Sequence, residues 1–119
     1  MFAKPKIYAI GASVFLAACA ASIPTQTTIA DGVYNLEPEE CLAASSVGRL
    51  VVAGNEIRYH ESTCQTQSGQ SFIKGEPTRM ICTGEGEKWE RQVTLQDTTD
   101  LLTIREGANS HPYIYYRCP

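Results

Sequence analysis

The sequence predicts an all-β domain: a small antiparallel meander barrel or sandwich of about seven strands, held by two disulfides. Three observations predict it. Period-two alternation runs through Lys88 to Gln96, with Trp89, Arg91, Val93 and Leu95 facing one way and Lys88, Glu90, Gln92 and Thr94 the other. Tight-turn signals at Gly54-Asn55, Gly84 to Glu87 and Asp97 to Asp100 separate short apolar runs. Cys41, Cys64, Cys82 and Cys118 form an even set, and no convincing long helix interrupts the strands.

The elements follow in order. Gly32 to Leu36 is a first strand. Glu37 to Cys41, with Pro38 and acids, suits a short helical turn. Leu42 to Val47 is a connection. Arg49 to Ala53 and Glu56 to Glu61 form a hairpin around Gly54-Asn55, a two-residue turn signal. Cys64 to Ser71 is polar and reads as a strand end followed by a loop. Thr78 to Thr83, Lys88 to Gln96, Leu101 to Glu106 and Tyr113 to Cys118 complete the set, the last with Ile114, Tyr116 and Cys118 on one face. A barrel is preferred because closure removes exposed edges. Of the three pairings that four cysteines allow, Cys41–Cys64 and Cys82–Cys118 are expected.

The chain begins with Lys4 and Lys6 and then an uncharged apolar run, Ile7 to Leu16. That is the layout of a secretory signal, and the run is too short for a membrane span of about 20 residues. Leu16-Ala17-Ala18-Cys19 resembles the lipobox of bacterial lipoproteins. The resemblance implies cleavage before Cys19 and acylation of its thiol. The rival is ordinary cleavage, at Ala18-Cys19-Ala20 or Ala20-Ala21-Ser22, which releases a soluble protein. Cys19 is the odd member of five cysteines, so it falls outside the disulfides under either scheme. Two or three acyl chains hold far better than one, since each buried CH₂ contributes roughly 0.8 kcal/mol. Ala20, where retained lipoproteins tend to carry Asp, fits the periplasmic face of the outer membrane. The expected organisation is a signal peptide over 1–18, lipidated Cys19 and a flexible tether over 19–30, and a β domain over 31–119 in an oxidising space.

Removing Lys4 and Lys6 from ten basic residues leaves eight against thirteen acidic ones, a net charge of −5. No Lys/Arg cluster stands out, which disfavours nucleic acid as a partner. No catalytic constellation is visible. His60 and His111 are the only histidines, there is no Gly-x-Ser-x-Gly elbow, and no close cysteine pair has the spacing of a zinc site. The chain therefore reads as a non-enzyme without cofactor or metal. The polar residues Glu56, Arg58 and His60 share one strand face. With Trp89, Tyr113 and Tyr115 they make up the candidate binding patch. Glu85 and Glu87 flank a turn but are a poor calcium site by themselves.

The run Cys82 to Trp89 and the ending Tyr115-Tyr116-Arg117-Cys118-Pro119 resemble those of small four-cysteine β lipoproteins of Gram-negative bacteria. That resemblance implies no activity. Gly32-Val33-Tyr34-Asn35-Leu36 is similar to the Gly-x-Trp-x-Leu opening of periplasmic protease-inhibitor barrels, with Tyr34 in place of Trp. Envelope inhibitors of lysozyme are also small anchored β domains, but their inhibitory motif is absent. The expected function is a lipid-anchored envelope binding module for a protein or small ligand. Its sharpest form is an inhibitor of a cationic hydrolase. The alternative is a structural or assembly accessory of an envelope complex.

Overall fold

Eight short strands run up and down in chain order and close on themselves. The structure, a computed structural model, describes residues 27–108 and 111–119. The strands are β1 (Gly32–Asn35), β2 (Arg49–Ala53), β3 (Glu56–Arg58), β4 (Thr63–Thr66), β5 (Thr78–Gly84), β6 (Glu87–Asp97), β7 (Leu101–Glu106) and β8 (Tyr113–Arg117). Each pairs antiparallel with the next. β1 meets β8 at Tyr34–Arg117 and Asn35–Tyr116, so the sheet is a closed barrel and not a sandwich. A 3-10 turn, Pro38–Glu40, stands where Pro and acids predict one.

The core follows from alternation. Leu50 and Val52 of β2, Met80 and Cys82 of β5, Val93 and Leu95 of β6, and Leu102 and Ile104 of β7 all point inward and are buried. Tyr115 is the buried residue of β8 and lies across from Leu102. Ile114 and Tyr116 do share a face, and it is the outer one.

The sequence reading needs three corrections. The described residues form eight strands rather than about seven, because Thr63–Thr66 is a strand of its own. Its polar composition hides it: Cys64 supplies the inward apolar group, and buried Thr66 spends its hydroxyl on the carbonyl of Gln70 at 2.8 Å.

The disulfides are Cys41–Cys118 and Cys64–Cys82, not Cys41–Cys64 and Cys82–Cys118. Cys64 and Cys82 are directly opposite on β4 and β5, both facing inward, and their register puts the two sulfurs together. Cys41 is free to reach Cys118 because the segment after β1 turns back. The Asn35 side chain anchors that segment, donating to the Glu40 carbonyl and to Ser46 Oγ at 3.3 and 3.1 Å.

The folded domain also begins before Asp31. Ile29 is 4 % exposed and belongs to the core, and its N–H donates to the Phe72 carbonyl at 2.9 Å. The expected signal segment 1–18, Cys19 and the tether as far as residue 26 lie outside the described residues. Among the described residues no helix is long and apolar enough to cross a membrane. The two disulfides fit an oxidising, exported environment.

Candidate functional site

The up-and-down topology gives the barrel two different ends. At the first, the β2–β3, β4–β5 and β6–β7 connections gather around the entering chain. Thr28 bridges Ile73, and Ile29 and Phe72 bury their side chains as a stopper. Charges lock this end. Asp97 accepts from the Ala30 N–H at 3.1 Å and pairs with Lys74 at 3.0 Å. Arg117 donates to the Tyr34 hydroxyl at 2.9 Å and to the Asp31 carbonyl at 3.0 Å. Burial raises the Tyr34 phenol above its ordinary range, with Arg117 pulling the other way.

The opposite mouth is filled by a polar stack. By alternation Arg91 continues the inward face of Val93 and Leu95 toward the rim. Its guanidinium lies 4.9 Å from the centre of the Tyr59 ring, donates to Glu106 and stands 4.0 Å from Cys64 Sγ. Burial raises the phenols of Tyr59 and Tyr115, the latter to about 12, so both stay neutral far above physiological pH. The Tyr59 hydroxyl is buried without a hydrogen-bond partner among the described residues. The stack leaves the interior occupied by side chains and leaves recognition to the outside of the rim.

Beyond that plug the β5–β6 hairpin overshoots the barrel. Residues 87–91 of β6 have backbone partners only in β5; Gln92 also accepts from the Gly107 N–H, and the β7 ladder starts at Val93. The hairpin turns at Glu85-Gly86, with φ of 47° and 78°. Two successive positive φ values define the I′ turn that matches strand twist, and Gly or Asn is the usual choice at its first position. Glu85 holds that position instead. Glu61 and Ser62 of the β3–β4 connection lie alongside, packed so closely on Gly84 that a Cβ there would meet the Glu61 carbonyl at 2.6 Å. Glu61, Ser62, Gly84, Glu85, Glu87 and Trp89 line a groove of about 250 Å³. Trp89 is 37 % exposed, because the strand carrying it has run past the rim. Three glutamates thus share a groove with one accessible indole. They are not arranged as a metal-binding set, and no such set of three or more exists among the described residues.

The six residues expected to form one patch do not. Glu56 and Arg58 pair at 3.3 Å on the outer face of β3, with His60 just beyond. Trp89 belongs to the acidic groove. Tyr113 is exposed at the start of β8. Tyr115 is only 8 % exposed and faces inward opposite Leu102, so it is core and not binding surface. Sequence reasoning missed Glu61, Ser62 and Arg49. The fold brings Glu61 and Ser62 to the turn at Gly84, and it sets Arg49 of β2 in one groove with Arg58 and His60. No family model, curated protein or solved structure matches this chain.

Proposed function

We propose that the protein is a lipid-anchored envelope binding module that grips a cationic protein partner with the acidic end of its barrel. In its sharpest form it inhibits a cationic hydrolase. The observation that carries the reading is the groove that Glu61, Glu85 and Glu87 share with exposed Trp89 beside the projecting hairpin. Carboxylates steer a cationic surface into place, and a half-exposed indole supplies the apolar anchor typical of an interface centre.

The strained tip supports it. A glutamate with φ of 47° costs the fold roughly 1 kcal/mol that Gly or Asn would avoid. A carboxylate kept at that cost fits a role in contact.

Orientation supports it as well. Thr27, the first described residue, sits at the sealed end, bonded to Lys74. A chain acylated at Cys19 would approach from that side and leave the acidic end pointing away from the lipid.

The test is incubation of the purified protein with lysozymes and periplasmic proteases, followed by rate measurements. Inhibition is expected to weaken in Glu61→Gln and in Glu85→Asn. The second variant should also melt slightly higher, which separates contact from folding. Unchanged rates with every enzyme would discard the inhibitor form. Stoichiometric crosslinking to a membrane protein in intact cells would instead favour an accessory of an envelope complex. Mass spectrometry of the mature N-terminus tests the anchor.

A further inference from the structure

A second feature of the surface has the opposite sign. On the outer face of the β2–β3 hairpin, Arg49, Val51, Arg58 and His60, with Ala44 and Tyr59, line a groove of about 290 Å³. Val51 is directly across from Arg58, which makes Arg49, two residues away on β2, its diagonal neighbour on the same face; β3 ends at Arg58, and His60 follows in the bend after it. Side chains directly opposite on antiparallel strands lie roughly 5 Å apart at Cβ, and diagonal neighbours about 7–8 Å. Arg49, Arg58 and His60 thus line this one concavity together.

The fold gains nothing from this arrangement. Arg49 and Arg58, diagonal neighbours of like charge on one face, add nothing to the pairing of their strands. Arg58 is only partly neutralised, by Glu56 on its own strand at 3.3 Å, with Arg58 itself well exposed. None of the four ion pairs among the described residues involves Arg49. The concentration also occurs on a domain that carries thirteen acids against eight bases once the leading lysines are set aside. A cationic concavity on an acidic protein asks for an anion.

We infer that the Arg49–Arg58–His60 groove binds a phosphate group. The charge and the geometry favour phosphate over carboxylate. Two guanidinium forks match a dianion with several acceptor oxygens, whereas one carboxylate is satisfied by one bidentate arginine. The His60 ring N–H adds a third donor. The groove volume leaves room for the organic group that carries the phosphate. The groove shares no lining residue with the acidic groove, although His60 adjoins Glu61 in the chain, and it does not depend on the function proposed for that groove.

The experiment uses the full-length chain, ¹⁵N-labelled, titrated with inorganic phosphate and, separately, with acetate. Saturable shifts of the Arg49 and Arg58 Nε–H and His60 ring signals with phosphate are expected, and none of comparable affinity with acetate. Arg49→Gln/Arg58→Gln should weaken phosphate by at least about tenfold with the backbone spectrum otherwise intact, and Glu56→Gln should strengthen it. Vesicles of phosphatidylglycerol against phosphatidylcholine identify the source. Preference for the anionic vesicles that disappears in the double variant assigns the phosphate to a lipid headgroup, and phosphate binding without it assigns a soluble phosphate. Either supports the site. Absence of saturation, equal affinity for acetate, or binding unaltered by the double variant overturns it.

Discussion

Replacing both cysteines of the outer disulfide, Cys41→Ala with Cys118→Ala, tests how this small barrel is held closed. The bond spans 77 residues, and the inner bond Cys64–Cys82 spans 18 within that stretch. With the inner bond shut, the outer one closes an effective loop of about 59 residues, because 18 are already tied. The chain-entropy relation then assigns it about 4.2 kcal/mol. Cys41 and Cys118 are only partly buried, so the added loss from an emptied core is small. For a domain of this size a loss of that magnitude lowers the melting temperature by roughly 15–30 °C. It is a large fraction of the 5–15 kcal/mol that ordinary domains possess. Urea unfolding followed by the fluorescence of Trp89, the single tryptophan, measures the change directly. The slope m should also rise, because the unfolded chain without the bond exposes more surface. A loss below about 1.5 kcal/mol with an unchanged slope would refute the entropic argument and locate barrel closure in the β1–β8 ladder alone.

Three further outcomes follow from the two ends of the barrel. The Tyr115 phenol ionises near 12 in the folded chain and near 10 in the unfolded one. Its contribution is complete below pH 10 and is lost as pH rises toward 12, since the unfolded state releases its proton first; chemical unfolding across that window should show the decline, and Tyr115→Phe should flatten it. Ile29→Ala should cost about 2–4 kcal/mol by thermal melting, whereas a residue in a tether would cost nothing measurable. Arg91→Lys should destabilise by about 1–2 kcal/mol, because an ammonium keeps a charge near Glu106 but not the planar stacking on Tyr59, and Arg91→Met should cost more; urea unfolding of both variants gives the order.

What could be read from the residues was what alternation encodes. Val93 and Leu95, Leu50 and Val52, and the Gly54-Asn55 turn declared their strands because inward positions are apolar and turn positions require special backbone. β4 was illegible because its inward groups are a disulfide sulfur and a hydroxyl that is satisfied only once Gln70 arrives. The disulfide pairing was illegible for a related reason: chain spacing says nothing about which strands become neighbours, and Cys64–Cys82 is a consequence of register. Ile29 resembled a tether residue because its partner, Phe72, lies in a loop far along the chain. The sites suffered in the same way. Glu56, Arg58 and His60 were visible as one face of one strand, but Arg49 joins them only through pairing, and Glu61 joins Glu85 and Glu87 only through a turn packed on Gly84.

The division between the ends has a physical logic. Closure leaves no edge around the body of the barrel, so that partners are met by loops, by the outer face or by the projecting β5–β6 hairpin, where β6 runs past the β7 ladder. Ile29 and Phe72 by burial, and Asp97 and Arg117 by polar contacts, commit the sealed end to stability. Arg91, Tyr59 and Tyr115 close the other mouth from within, which lets the hairpin beyond it vary without opening the core. Glu61, Glu85, Glu87, Arg58 and His60 are exposed and Arg49 is partly so, and surface substitutions of this kind usually change stability by no more than about 0.5 kcal/mol. The acidic groove and the cationic groove therefore lie on parts of the molecule whose charge is not required by the fold. Their opposite signs on neighbouring segments, His60 in one and Glu61 in the other, are the strongest sign that this surface is organised for recognition.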